Sequence, residues 1–319
     1  MTGALRIVIA AAAAIALPFV IGEYPVTLAI EVMLFAIFAL GINILLGYTG
    51  YVSVGHSMFL GFGGYGVGVL TVLFGWPTWL AMPATIVIVA VLGLVTGVIC
   101  MRVSRIQFLV ITLALSQLYW GIAIKVRATG GDDGMPGISR PDLSWAGLST
   151  HDTTVFYFYV LACTALALWL CWRIARSPFG SALVGIRENE KRMIALGYRV
   201  TLYKNAAFVL SGVVSGFAGI LTAQYQQFVS PAAMTWELSG EGLLMVIIGG
   251  RQYFLGPVLG AAFFVLLKAK LSEVTEEYII FFGLFFMIVV ALFSRGLAGF
   301  GVDLWRRWRK PSGAPGAAE

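Results

Sequence analysis

His56 and Ser57 stand side by side in this chain, an imidazole base next to a hydroxyl nucleophile. Neighbouring residues on a helix project about 100° apart, so the two cannot converge on one substrate atom, and a rhomboid-like intramembrane dyad is not supported. His151 is the only other histidine, which excludes a multi-histidine metal centre. Cys100, Cys163 and Cys171 are odd in number and lie in or at the ends of apolar runs, which reads as packing rather than a disulfide framework or metal site. There is no Walker A sequence, His-Glu-x-x-His, Gly-x-Ser-x-Gly or Rossmann glycine fingerprint. The residues point away from an enzyme and away from any metal or cofactor held by this chain.

What remains is a set of polar residues inside apolar segments. Asn43, Ser53, His56, Ser57, Thr112, Ser116, Gln117, Gln224 and Glu241 could line a water-filled passage, because a polar group facing lipid is costly. Each could equally be a hydrogen bond between two helices. His56 follows Gly47-Tyr48-Thr49-Gly50-Tyr51-Val52-Ser53-Val54-Gly55, which breaks helical periodicity; such a loop at membrane depth is tolerated only against protein or water. Glu31 and Glu241 are the main acids inside spans, with no chain of buried acids and bases for ion coupling.

The elements that must position these residues follow from composition. The chain has 319 residues, 60% hydrophobic and 11% charged, more apolar surface than one soluble core can hide. Its net charge is +6, but the positive residues sit at the ends of apolar runs rather than in a stripe with aromatics, so nucleic acid is not the partner. About ten spans are expected, at 5–21, 26–47, 55–74, 80–100, 106–125, 155–175, 204–227, 238–250, 255–270 and 278–294. The third, eighth and ninth are crowded or bracketed by glycines and proline, so broken or re-entrant helices stay open there. The fold expected is all-α and polytopic, a single transmembrane domain over 1–310 with a disordered tail at 311–319. Placing both termini in the cytoplasm puts 16 of the 21 Lys/Arg residues inside. A cleaved signal peptide over 1–22 is the rival reading, without a convincing small-x-small site before Glu23.

Two stretches interrupt the spans. The outer loop, 126–154, holds Gly130-Gly131-Asp132-Asp133-Gly134, a turn composition that reads as an exposed loop or as a receiving surface for a soluble partner. The inner loop, 176–203, belongs to a charged island that carries seven Lys/Arg residues from Arg173 to Lys204. Ser177-Pro178 offers an N-cap and a first-turn proline, with Phe179, Leu183, Val184 and Ile186 as an apolar face. A second helix is expected from Glu188 or Asn189 through Met193, Ile194 and Leu196, ending at Gly197 in a left-handed cap. Membrane anchoring and docking of a cytoplasmic partner are both open.

Several motifs in order resemble the LivM-type permease subunits of branched-chain amino acid ABC importers. Asn43 to Gly50 with Ser53-Val54-Gly55-His56, Phe59, Gly61 and Gly64-Tyr65 is similar to the family's N-terminal signature. Thr129 to Gly134 is similar to its outer loop. Ser177-Pro178-Phe179-Gly180, Ile186-Arg187-Glu188-Asn189-Glu190 and Ala195-Leu196-Gly197 resemble its coupling region. Ser230-Pro231, Met245 to Gly250 and Gly256 to Ala261 resemble its C-terminal part. The resemblance covers nearly all of 26–300. It implies a multi-pass protein of the bacterial inner membrane, paired with a LivH-like second permease. Two LivG/LivF-like ATPases would hold ATP and magnesium and bind at Arg187, Glu188, Asn189, Glu190, Ala195, Leu196 and Gly197. A soluble binding protein would dock outside near Asp132 and Asp133. In the broader importer loop a glycine follows the glutamate by six residues, whereas Gly197 follows Glu190 by seven. Permeases for urea, short amides and aromatic acids share the pattern, so the implied cargo is a branched-chain amino acid or a related small polar solute. A stand-alone channel or secondary carrier for such a solute is the competing reading.

Overall fold

The computed structural model describes residues 12, 14–20, 22–142, 144, 147, 149, 150, 152–274, 283 and 296–299. The expected span at 278–294, the tail at 311–319 and most of the first span lie outside these residues, as do the chain ends whose sidedness was expected; of the first span, 14–20 is helical.

Among the described residues, five helices are long and apolar enough to cross a membrane: α1 (Glu23–Leu46), α3 (Thr78–Cys100), α4 (Arg105–Lys125), α5 (Thr153–Ala175) and α8 (Val200–Gln226). Between them lie α2 (Ser57–Gly68), which runs on into a π turn at Val69–Leu73, and the short α6 (Pro178–Glu188) and α7 (Glu190–Ala195). After α8 come a 3₁₀ turn at Pro231–Met234, then α9 (Trp236–Gly249) and α10 (Gly256–Val274). Two residues, β1 (Met135–Pro136), pair antiparallel with β2 (Phe228–Val229).

Helices α1 and α8 form the centre. In α1 and α8, 67% and 61% of the most apolar window is buried, against 17% in α4. From Ala36 to Leu46 every residue of α1 is buried. Helix α3 shows the opposite pattern: Ala81, Thr85, Val89, Gly93, Gly97 and Cys100 recur every three or four residues on a buried stripe. Its other face exposes Val87, Val91, Leu94, Val95 and Val98 to the bilayer. Small residues set how near the helices come. Gly93 faces Val209, Gly212 faces Phe59 and Gly216 faces Val89.

The third and eighth expected spans are not full crossings. Helix α9 has 14 residues, about 21 Å, less than the roughly 30 Å of hydrocarbon. Helix α2 begins deep in the bundle, where Ser57 meets Ser116, eleven residues or about 16 Å along α4. The segment from Gly47 to His56 re-enters the protein to reach that depth, and Gly55 lies so close to the Thr112 carbonyl that a side chain would collide with it. On the other side, 228–235 descends from the far end of α8 to the same level. Two half-length helices therefore start near mid-depth and run in opposite directions.

Basic and acidic residues collect at opposite ends. Arg105, Arg187 and Arg251 gather around Gly47 at one end. Glu23, Asp132, Asp133, Asp152 and Glu273 belong to the other, where the helices α1 and α5 begin and α4 and α10 finish.

Candidate translocation and coupling sites

The N-termini of α2 and α9 meet in a serine clasp. The Ser57 amide donates to Ser239 Oγ at 2.8 Å, and Ser239 Oγ donates back to Ser57 Oγ at 2.7 Å. Ser57 and Ser116 both donate to the Met234 carbonyl, at 3.2 and 2.6 Å. All three serines are fully buried. Helix starts carry partial positive charge and unpaired amides, so two facing each other need acceptors between them. The hydroxyls supply these and close the bundle at mid-depth. Ser239→Ala leaves the Ser57 amide without its acceptor; a loss of about 1–3 kcal/mol is expected in thermal unfolding of the purified chain. Unchanged unfolding would show that the clasp does not hold the half-helices.

His56 points elsewhere, as the helical spacing requires. Ser211 Oγ donates to the Gly41 carbonyl at 2.5 Å, so His56 Nε2, 2.6 Å from the same oxygen, must be the donor. Its Nδ1 has no partner among the described residues, and neither does Asn43 Oδ1 or Ser215 Oγ. Buried lone pairs of this kind are costly unless water or another group meets them.

The expected passage residues thus divide. Ser57 joins the clasp; His56 packs on α8; Asn43 and Ser53 are buried beside the re-entrant segment. Gln117 is half-buried on α4 and belongs to neither cluster. Gln224 accepts from Tyr159 at 3.0 Å near the far end of α8, and Glu241 pairs with Lys268 at 3.4 Å. Spacing gave no sign of Ser239, which meets Ser57 across 182 positions of sequence.

A cavity of about 590 Å³ lies between α1, α8 and α10, with Tyr24 and Ser272 toward the acidic end and Leu60 of α2 at its inner end. Its wall is mostly aliphatic and aromatic, but it includes Glu31 and Lys268. The inner end is one helical turn from Ser57, so the clasp closes the route onward.

At the basic end, the island folds as its capping residues dictate. Ser177 Oγ accepts from the Gly180 amide at 3.2 Å, and Pro178 opens α6. Asn189 caps α7 by accepting from the Arg192 amide at 3.0 Å. Gly197, at φ +85°, ends α7 in a left-handed cap, with the Tyr198 amide bonded to the Met193 carbonyl. Leu183 and Ile186 of α6 are buried as expected. In α7 only Met193 turns inward; Ile194 and Leu196 are 57% and 66% exposed. Six residues are too few for the helix to wrap a second contact against the bundle.

Two links tie this island to the re-entrant segment. Lys204 Nζ, in a side chain only 6% exposed, donates to Tyr51 Oη and to Glu190 Oε1, both at 2.9 Å. Arg187 donates to the Gly47 carbonyl, and Arg105 donates to the Arg187 carbonyl at 3.0 Å. Glu190 is therefore engaged within the chain, while Glu188, Lys191 and Arg192 are exposed.

At the acidic end the loop is fastened to α8. Arg140 donates to the Gln224, Tyr225 and Thr150 carbonyls at 3.4, 3.3 and 2.9 Å and lies over the Phe156 ring. Cations at a helix C-terminus are favourable, and here the guanidinium covers carbonyls that the helix leaves open. Burial lowers the Arg140 pKa from its ordinary value without discharging a guanidinium. The Ser144 amide holds the Asp142 carboxyl below its usual range. Two 3₁₀ turns, Arg127–Thr129 and Gly131–Asp133, leave Asp132 and Asp133 exposed. Among the described residues no three His, Cys, Asp or Glu side chains are grouped to hold a metal ion.

The chain is 29% identical over 286 residues to the high-affinity branched-chain amino acid transport system permease protein LivM of Salmonella typhimurium, covering 83% of this chain and 65% of that protein. It is 28% identical over the same length to LivM of Escherichia coli, and 26% identical over 232 residues to the autoinducer 2 import system permease protein LsrD of Klebsiella pneumoniae, covering 70% and 68% of the two chains. The chain thus spans about two thirds of the length of the LivM relatives. No solved structure matches it. The family described as branched-chain amino acid transport system / permease component matches residues 24–292, so the two half-helices, the clasp and the island all fall inside that match, and the chain belongs to this family.

Proposed function

We propose that the chain is the membrane permease subunit of an ATP-binding cassette importer. It carries branched-chain amino acids or a related small polar solute across a bacterial inner membrane, and separate subunits bind ATP and magnesium. The observation that carries this reading is α7: a six-residue helix beyond the bundle that exposes Ile194, Leu196 and Tyr198 between Lys191, Arg192 and Arg199. Exposed apolar side chains ringed by charge are the surface of a partner contact. Two cytoplasmic ATPases dock there, a second permease of LivH type pairs within the bilayer, and a soluble binding protein meets the acidic end near Asp132 and Asp133.

The island's internal links give the docking a mechanical outcome. Closure of the ATPases displaces α6 and α7; Glu190 draws on Lys204 and Tyr51, and Arg187 draws on Gly47. Both pulls reach the segment that ends at the N-terminus of α2, where the clasp separates the cavity from the basic end. Opening the clasp joins the cavity to the basic end.

Ile194→Asp with Leu196→Asp tests the docking. Co-purification of the ATPases is expected to fall at least about tenfold while the chain remains in the membrane. Full assembly would refute docking on α7. Gradient-driven flux through the purified chain without ATP would instead favour a stand-alone carrier.

A further inference from the structure

We infer that the cavity between α1, α8 and α10 binds a small zwitterionic α-amino acid, with Glu31 receiving its ammonium, Lys268 its carboxylate and the aliphatic wall its side chain. The inference rests on the importer reading and adds to it a place in this chain where the cargo is held.

Glu31 lies eight residues inside α1, about 12 Å from its start, and Lys268 six residues before the end of α10, about 9 Å. Both are half-buried and line the same space. Glu31 makes no hydrogen bond or ion pair among the described residues. The Lys268 charge acts on it across the cavity, but a carboxylate at that depth without a hydrogen bond is unfavourable, and a ligand ammonium that donates to it removes part of the penalty. Lys268 has three donors, and its recorded acceptor is Glu241 at the long distance of 3.4 Å. Donors are left for a ligand carboxylate, and Glu241 keeps the ammonium turned toward the bundle.

The two charges restrict what can enter. A simple anion is repelled by Glu31 and a simple cation by Lys268, whereas a ligand carrying both charges on one carbon satisfies each. Leu28, Phe35, Leu60, Phe264 and Val265 give an apolar surface that suits a branched aliphatic chain, beside polar side chains that include Thr27, Gln226 and Ser230. The volume lies within the roughly 300–1,000 Å³ of small-molecule sites. A phospholipid headgroup with an ammonium and a phosphate is the rival occupant.

The test uses the full chain in phosphatidylcholine nanodiscs and three probes: L-leucine, 4-methylpentanoate, which lacks the ammonium, and isopentylamine, which lacks the carboxylate. Leucine is expected to bind at least about tenfold more tightly than either half-ligand. Glu31→Gln should weaken leucine about tenfold while 4-methylpentanoate binds at least as well as before, its repulsion removed; Lys268→Gln should weaken leucine while isopentylamine binds at least as well as before. The retained half-ligand shows that each variant is folded. No leucine binding by the wild type, wild-type leucine affinity in both variants, or a co-purified phospholipid that leucine fails to displace would each overturn the site. ATP-dependent leucine uptake by the reconstituted importer separates the two claims. If uptake persists unaltered in both variants, the site fails and the importer stands; if the wild type shows none, the importer reading fails.

Discussion

Glu190→Ala is expected to destabilise the basic end by about 3 kcal/mol, and Lys204→Met by only about 1 kcal/mol, although both break one ion pair. The asymmetry follows from burial. The Lys204 side chain is 6% exposed and that of Glu190 36%. Without Glu190 an ammonium stays buried with only the Tyr51 hydroxyl for company, and desolvation of the uncompensated charge dominates. Without Lys204 the glutamate turns to water and Tyr51 loses one donor. Thermal unfolding of the two single variants and the double variant measures this. The double should recover to the level of Lys204→Met, because the stranded charge is gone. Equal losses in both singles would mean that Lys204 is solvated in the protein as it works. In the assembled importer all three variants should keep ATP hydrolysis and lose most coupled uptake, since the link from α7 to Tyr51 is cut in each.

Gly219→Val is expected to prevent the bundle from forming. A Cβ at Gly219 would strike the Leu60 carbonyl of α2, and one at Gly63 would strike the Gly216 carbonyl of α8. Helices α2 and α8 therefore touch backbone to backbone along one line, and a carbonyl cannot swing aside as a side chain can. Separating them by the width of an isopropyl group opens voids around Phe59 and Leu60, beyond the roughly 1–3 kcal/mol of ordinary overpacking. Loss of the monodisperse peak in detergent chromatography, or retention only as aggregate, is the expected outcome. Gly240→Val is the control on α9, where nothing lies within 4 Å of the added carbon. A well-folded Gly219→Val would show that α2 and α8 can move apart freely.

Much of this architecture is legible in the sequence because lipid imposes simple rules. Apolar runs, capping residues and charge asymmetry were enough to place α1, α3, α4, α5 and α8. The island is legible in its caps: Ser177 and Gly197 cap where their chemistry places them, and Asn189 is one of the two starts that the sequence leaves open for the second helix. The half-length helices were only hinted at, by glycines in α2 and by the broken period before His56. An apolar run of 14–17 residues does not reveal whether it crosses or stops at mid-depth, since that depends on which partner satisfies its first amides. The clasp was half visible: Ser57 and Ser116 stand out as hydroxyls in apolar surroundings, whereas Ser239 gains meaning only when 228–235 folds inward. By sequence Glu31 is an acid inside one expected span and Lys268 a charge near the end of another. Their shared cavity depends on the packing of α1 against α10, separated by more than two hundred positions. Ile194 and Leu196 fall on the expected second helix, but their exposure is not legible from spacing, because six residues make too little of a period to tell a buried face from an open one.

Helix α8 runs unbroken for 27 residues, about 40 Å, with Lys204 near one end and the Arg140 clamp over its last carbonyls. In the proposed importer it serves as a push-rod, with one handle at each end of the bundle. A partner that prefers one axial position of this rod at the loop end must change the grip of a partner at the island end by the same factor, and the reverse holds equally. The two sides of the bilayer can thus be in thermodynamic communication without any movement of solute between them.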